Sequence, residues 1–464
     1  MPDVRILSNS GAETTVPTAT FQAFQASMRG PLIHPGEAGY ERVRKTWNGM
    51  IDKHPGLIAR CKGVADVITA VGFARDHDLL VAVRGGGHSL PGFSVCDGGM
   101  VIDLSPMQGI RVDPDRRTAV AQAGLTWGDY DRETQVCGLG STGGVISTTG
   151  IAGLTLGGGI GWLMRKYGLA CDHLRSVDVV TADGRCLTAS LIEHPDLFWG
   201  LRGGGGNFGI ATSFEYQVHP VGPVLAGMVI YPIDRAREVL RFYRDFTPTA
   251  PDELTTYAFM LTTPEGVPVV VMMCCYCGDL AAGERVLRPL RGFGPPLADE
   301  IKPMPYPTLQ SLLDEAYPPG HYSYYKSHYL AQISDALIDT MVDGFVGVPS
   351  PMSALGFEQF GGAVGRVGVE DTAFRHREVA YDVVILGEWA DPTTAAENIQ
   401  WVRQVASMTE PFAIGGVYVN FLGEDGEEQV KAAYGSHFQR LVALKRKYDP
   451  TNFFHLNQNI KPTA

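Results

Sequence analysis

Apolar residues change their spacing several times along this chain, and each change marks an element. Val64, Val67, Ile68, Val71 and Ala74 recur at helical spacing, which predicts an amphipathic helix over 64–77. The unbroken apolar run Leu79-Leu80-Val81-Ala82-Val83 then predicts a buried strand. Val101-Ile102-Asp103-Leu104, Thr118–Ala123 and Val177–Thr181 read as further strands, and Ala182-Asp183-Gly184 has hairpin-turn chemistry. Phe214, Tyr216 and Val218 alternate with Ser213, Glu215, Gln217 and His219, the mark of a half-buried strand. Past about residue 218 glycine thins out. Ala236–Phe246, Asp335–Phe345 and Ala395–Met408 read as helices, and 267–277, Leu355–Arg366 and Val379–Trp389 as strands. Met304–Gly320, rich in proline and tyrosine, reads as a loop. Val430–Lys447 is a periodic basic helix stopped by Tyr448-Asp449-Pro450.

The 464 residues exceed one ordinary core, so two or three domains are expected. A net charge of −12 argues against nucleic acid or an anionic membrane as partner. No apolar run reaches the length of a bilayer span. Met1–Thr20 has no signal-like apolar core and reads as a loose leader. The eight cysteines suit neither a zinc site nor a disulfide scaffold, so reduced thiols in the cytoplasm are the expectation. Cys274, Cys275 and Cys277 fall in an apolar run and read as buried strand residues.

The chemistry concentrates in glycine. Arg84-Gly85-Gly86-Gly87-His88-Ser89 follows the predicted strand at 79–83. Glycines there let backbone approach a ligand closely, and their N–H groups can cup an anion, with Arg84 as a nearby positive fork. By itself the run fits either a pyrophosphate site with an attendant histidine or a plain surface turn. Two more clusters follow, one from Gly138 through Gly150 and Gly153 to Gly157-Gly158-Gly159, the other Gly203–Gly209. The second contains GxGxxG but runs into the alternating strand Ile210–Val218, where a nicotinamide-binding turn needs a helix. Three separated clusters suit a long dinucleotide threaded between sheets.

These segments resemble the FAD-linked oxidases of the vanillyl-alcohol oxidase and berberine-bridge-enzyme type. The resemblance rests on Leu57–Cys61, Arg84–Ser89, Asp97-Gly98-Gly99 with Ile102–Leu104, Gly153–Gly161, Arg165–Leu169, Asp196–Trp199 and Arg202–Gly209. It closes on Tyr448–Asn452 and Leu456–Ile460. Bacterial members, including 6-hydroxynicotine oxidases and natural-product oxidases, are the nearest in pattern. The resemblance implies an α+β, two-domain FAD-binding fold of the vanillyl-alcohol oxidase type, with an inserted antiparallel-sheet substrate domain. Residues 20–217 plus 412–464 would hold FAD, and 218–411 the substrate. It implies a covalent bond from His88 to the flavin. The second, cysteine link of many members is not expected, because Ile146 stands near the matching position and Cys137 lies upstream. Arg84, Gly85, Gly86, Gly87, His88, Ser89, Thr149, Gly150, Gly153, Gly157, Ile210 and Asn457 are the implied cofactor-binding positions. Thr149 is either at the reactive edge of the flavin or a turn threonine.

The implied reaction is hydride transfer from a small apolar or aromatic alcohol, amine or natural product to flavin N5, with reoxidation by O2. A dehydrogenase with another acceptor and a flavoprotein without turnover are the alternatives. Glu358, between Phe357 and Phe360, is a candidate base if it sits in an aromatic pocket, and a solvated strand-edge carboxylate otherwise. Tyr418 is a candidate site residue or a core residue. Phe421 stands where plant members place a catalytic tyrosine. His321, Tyr324, Tyr325 and Lys326 form a polar-aromatic cluster that could line the pocket. The partners expected are substrate and O2, with a homodimer left open and no metal.

Overall fold

The computed structural model describes residues 4–423 and 426–463. Three larger β-sheets, beside two two-stranded ones, organise them. The first is four-stranded, with Leu57–Arg60 and Val81–Arg84 flanking Met100–Asp103 in parallel and Leu32–Ile33 antiparallel at the edge. Parallel neighbours need a crossover, and the helix Val64–Asp76 provides it. Burial on both faces explains why Met100–Asp103 lacks polar alternation, while Val81–Arg84 is buried at Val81 and Ala82 and half-buried at Val83 and Arg84. The second sheet is five-stranded and antiparallel, in the order Cys186–Ser190, Leu174–Val180, Ile210–Gln217, Thr118–Gln122, Ile110–Asp113. Its first hairpin closes at Asp183-Gly184, as the turn chemistry predicts, with Gly184 at φ +83°.

The third sheet is an eight-stranded antiparallel sheet from the second half of the chain. Its path runs Ala298–Asp299, Val224–Pro232, Pro268–Tyr276, Leu254–Thr262, Ala354–Gln359, Tyr381–Trp389, Tyr322–Leu330, with Lys302–Met304 also on Val224–Pro232. One face packs on the helices Ala236–Phe246, Asp335–Phe345 and Ala395–Thr409 through Leu254, Ala258, Leu355, Phe357 and Val383. The other packs on Ile160–Leu169 of the glycine-rich half through Tyr257, Phe259, Val271 and Val384. Pro268–Tyr276 is apolar on both faces, which is why its run, with Cys274 and Cys275, is continuous.

Four expectations need correction. The N-terminal leader is folded: Val4–Leu7 pairs with Glu13–Val16, and Ile6 and Val16 are buried in the first core. The strand expected at Leu355–Arg366 stops at Gln359, because Gly361 and Gly362 both turn at positive φ into the short helix Ala363–Arg366. The loop at 304–320 contains a proline-started helix, Tyr306–Gln310. The basic helix of the tail is two helices, Glu427–Tyr434 and Phe438–Tyr448, parted at Gly435 with φ +50°.

The tail folds back onto the glycine-rich half and is locked there by a buried ion pair. Lys445 Nζ donates to Asp449 Oδ2 at 2.7 Å and to the carbonyls of Asn207 and Phe454, both at 2.8 Å. Asp449 also accepts the amides of Phe453 and Phe454. These bonds account for Asp449 in the Tyr448–Asn452 motif: a fully buried cation and anion persist only when their donors and acceptors are matched.

Candidate active site

The strand Val81–Arg84 delivers the chain into the triple-glycine turn at the edge of the first sheet. A methyl group on Gly86 would lie 2.4 Å from the Gly150 nitrogen, and one on Gly150 would lie 2.4 Å from the Gly86 nitrogen. The two glycine clusters are thus backbone against backbone, which side chains at either position would prevent. Gly87 turns at φ +75°. Arg84 runs beneath this turn and donates to the Val43 carbonyl, with its buried Nε left without a partner. Ser89 Oγ accepts the Phe93 amide and closes the next turn.

His88 lies between elements remote in sequence. Its ring stacks on Trp47 at 5.0 Å. Nε2 meets Thr148 Oγ1 at 3.0 Å, and Nδ1 meets Thr149 Oγ1 at 3.4 Å. Burial pushes its pKa down to about 4, so the imidazole is neutral at ordinary pH. Trp47 and Thr148 are neighbours that sequence reading missed.

At the other end of the second cluster, Tyr418 and Asn420 from the tail reach in. The Tyr418 hydroxyl accepts the amides of Gly159 at 3.1 Å and Ile160 at 3.3 Å, and Asn420 Nδ2 at 2.8 Å. A methyl group on Gly157 would strike Asn420 Oδ1 at 2.1 Å, so that glycine makes room for the tail. Gly153 faces open space, as does Gly206 in the third cluster. Asn457 donates to the carbonyls of Gly206 and Phe454, while its Oδ1 is buried without a partner. Ile210 starts a central strand behind that cluster and is buried.

The large sheet closes over this layer. Asn48 clamps it, donating to the Ser323 carbonyl at 2.9 Å and accepting the Ser323 amide at 3.1 Å. Ser147 bonds Asp314 through both its amide and its hydroxyl, and Trp47 Nε1 donates to the Tyr317 carbonyl at 3.1 Å. Glu358 lies on the inner face, 8% exposed, with Oε2 lacking a partner. Burial pushes its pKa up to about 8. Glu358 is thus buried and not a solvated strand-edge carboxylate: Tyr257 stands directly across the strand pair, and the Trp162 ring lies 4.6 Å from the Tyr257 ring. The His321–Lys326 cluster divides by strand alternation. Tyr325 faces inward and donates to Glu388 Oε2 at 2.9 Å, with His321 Nδ1 3.8 Å from Glu388 Oε1. Tyr324 and Lys326 face outward, where Arg403 meets the Tyr324 hydroxyl. Asp382 and Glu388 share the inner face with Glu358 and were not legible in the sequence, since both sit inside an apolar strand.

These residues fit an FAD. The paired backbones at Gly86 and Gly150, the open space beside Gly153 and Gly206, and the orphaned Asn457 Oδ1 form a cradle lined mainly by backbone. Among the described residues no cluster of three metal-ligating side chains occurs, and no helix is long and apolar enough to cross a membrane.

Comparison with known proteins agrees with that geometry. Residues 55–190 match the family model described as an FAD binding domain, and 417–461 the one described as berberine and berberine like. An FAD-linked oxidoreductase of Dictyostelium discoideum is 34% identical, covering 96% of this chain and 97% of its own. The (R)-6-hydroxynicotine oxidase of Paenarthrobacter nicotinovorans is 30% identical, covering 94% and 97%. The crystal structure of 6-hydroxy-D-nicotine oxidase from Arthrobacter nicotinovorans matches with a TM-score of 0.87 at 30% identity, covering 94% and 98%. With a Dictyostelium protein among them, the relatives extend beyond the bacterial members that the sequence pattern singled out.

Proposed function

The chain belongs to the FAD-linked oxidoreductases that join an FAD-binding segment to a berberine-like one, and from that membership we propose that it is an oxidase of a small organic substrate. The observation that carries the reading is Glu358, a buried carboxyl with a free oxygen on the sheet face that closes over the glycine layer. FAD, when bound, supplies the two-electron acceptor that is afterwards reoxidised by O2. Glu358 then takes the hydroxyl or amine proton as the substrate's carbon gives up its hydride. A raised pKa suits this task, because the carboxylate is a stronger base than a solvated one. Tyr418 acts as a positioning residue: three N–H donors fix its oxygen and so hold the tail against Gly159 and Ile160.

The same reading assigns His88 a single covalent bond to the flavin. Its support is a neutral imidazole held by Trp47, Thr148 and Thr149, and the absence of a cysteine near Ile146. Residues 20–217 with 412–464 serve as the FAD unit and 218–411 as the substrate unit. The division is supported by the first core, which draws on both terminal regions, and by a separate core under the large sheet. Eight unpaired cysteines support a reducing, cytoplasmic setting. The test is anaerobic mixing of holoprotein with alcohol and amine panels, followed by air. Bleaching of the flavin and its recovery in air is the expected result. Bleaching that persists in air would identify a dehydrogenase, and no bleaching by any compound would identify a flavoprotein without turnover.

A further inference from the structure

Four inner-face side chains stand in one straight row across four neighbouring strands. Tyr257 is directly opposite Glu358, Glu358 opposite Asp382, and Asp382 opposite Tyr329. Residues directly opposite in antiparallel strands have Cβ atoms about 4.5–5.5 Å apart, so the two carboxyls are immediate neighbours. All four residues are at least nine-tenths buried. The Tyr257 hydroxyl, Glu358 Oε2, both oxygens of Asp382 and the Tyr329 hydroxyl lack a well-formed hydrogen bond, Asp382 being approached by the Ser327 hydroxyl and the His328 amide without good geometry. Buried polar groups are rarely left unmatched, and five such atoms in one row mark a place built for a polar ligand.

The row contains no positive charge. The ionisable groups acting on the two carboxyls are each other and tyrosines: Tyr257, Tyr329 and Tyr418 interact with Glu358, as do Tyr243 and Tyr317 from the flanking elements. The nearest buried guanidiniums are committed elsewhere. Arg377 is paired with Asp172 through two 2.8 Å bonds, and Arg165 donates to the carbonyls of Leu254, Phe360 and Ala250. Two adjacent buried carboxyls without a cation cannot both ionise, so they titrate as a pair.

We propose that Glu358 and Asp382 act as a carboxyl pair sharing one proton, and that the pair's single negative charge selects a substrate presenting an ammonium group. The inference rests on the oxidase reading and narrows its substrate to amines. The charge balance favours that class. An ammonium entering the row gives one N–H proton to the pair, leaving a neutral amine beside two protonated carboxyls. The neutral amine then loses a hydride from its α-carbon to FAD, and its carbon–nitrogen bond becomes a C=N⁺ iminium that water hydrolyses to carbonyl and amine. An alcohol brings no charge to offset the pair, and a carboxylate substrate is repelled by it.

The experiment combines two measurements on holoprotein. The first compares anaerobic flavin bleaching by arylalkyl amines, the matching alcohols and the matching carboxylic acids, as a function of pH, in wild type, Glu358→Gln and Asp382→Asn. Amines should reduce at least tenfold more efficiently than matching alcohols. Both substitutions should move the acidic limb of the amine profile by a pH unit or more, because either removes half of the shared site. The second is infrared difference spectroscopy without substrate. At neutral pH the wild type should show a protonated-carboxyl band that is missing from the double variant. If Asp382→Asn does not fold, Asp382→Glu serves instead: it should keep the amine preference and still displace the limb. Equal reduction by alcohols, or a limb that moves only with Glu358→Gln, would overturn the proposal. No flavin reduction by any compound, with the infrared band present, would sink the oxidase reading while leaving the shared proton standing. A missing band would refute the pair itself.

Discussion

Replacing Glu358 by Gln separates catalysis from stability, because the two should move in opposite directions. The amide keeps the shape of the side chain and cannot take a proton. Loss of a general base costs about 10²–10⁴ in rate, so flavin reduction by the true substrate should fall by that much. Stability follows from linkage. The carboxyl has its folded pKa raised from 4.5 to about 8, so the folded protein holds a proton that the unfolded chain releases. Its contribution is therefore fully present below the unfolded pKa and is lost as pH rises toward 8. At 1.36 kcal/mol per unit, wild type should lose about 4 kcal/mol between about pH 5 and about pH 9 from this group. Glu358→Gln does not titrate and should be spared that loss. Removing one carboxyl also eases ionisation of Asp382, so about 4 kcal/mol is the ceiling of the gain. Urea unfolding at the two pH values reads the stability, and stopped-flow reduction reads the rate. An unfolding difference that stays flat with pH would show that the carboxyl is not held neutral. Wild-type reduction rates in the variant would remove Glu358 as the base.

Other outcomes test the cofactor cradle and the tail. Acid-precipitated holoprotein should stay yellow and yield one flavin peptide, containing His88 and no cysteine; a colourless pellet, or a peptide bridged to Cys137, would contradict the single link. His88→Ala should keep FAD without the covalent bond and oxidise more slowly, as measured by release of flavin into acid. Flavin attachment to apoprotein should be independent of pH down to about 4, where His88 becomes protonated and its rate should drop. Gly86→Ala places a methyl group 2.4 Å from the Gly150 nitrogen and should abolish FAD loading, read from the ratio of visible to ultraviolet absorbance. Asp449→Ala leaves Lys445 buried without its partner and should cost about 3–5 kcal/mol in urea unfolding, with release of the tail detectable by limited proteolysis.

Periodicity carries local information, and here it located the helices at Ala236–Phe246 and Asp335–Phe345 to the residue. It also found the strand entering the glycine turn, since a parallel strand buried on both faces must be continuously apolar. Glycine clusters were legible for a similar reason: close backbone approach tolerates no other residue, as Gly86 against Gly150 shows. Where two local rules competed, the reading failed. The strand-like spacing of Leu355, Phe357 and Phe360 suggested a longer strand while Gly361 and Gly362 bent the chain, and Gly435 broke a helix whose apolar spacing ran on.

The chain's own order of residues determined most elements, the glycine clusters and the candidate histidine. Tertiary structure alone decided what His88 touches, because Trp47 and Thr148 reach it from distant segments. It alone settled the surroundings of Glu358, which became a buried group through strand pairing with residues 257 and 382. It alone split His321–Lys326 between two faces of a sheet. Strand register is set by contacts between residues far apart in sequence, so a row such as Tyr257–Glu358–Asp382–Tyr329 exists only once four strands have been aligned.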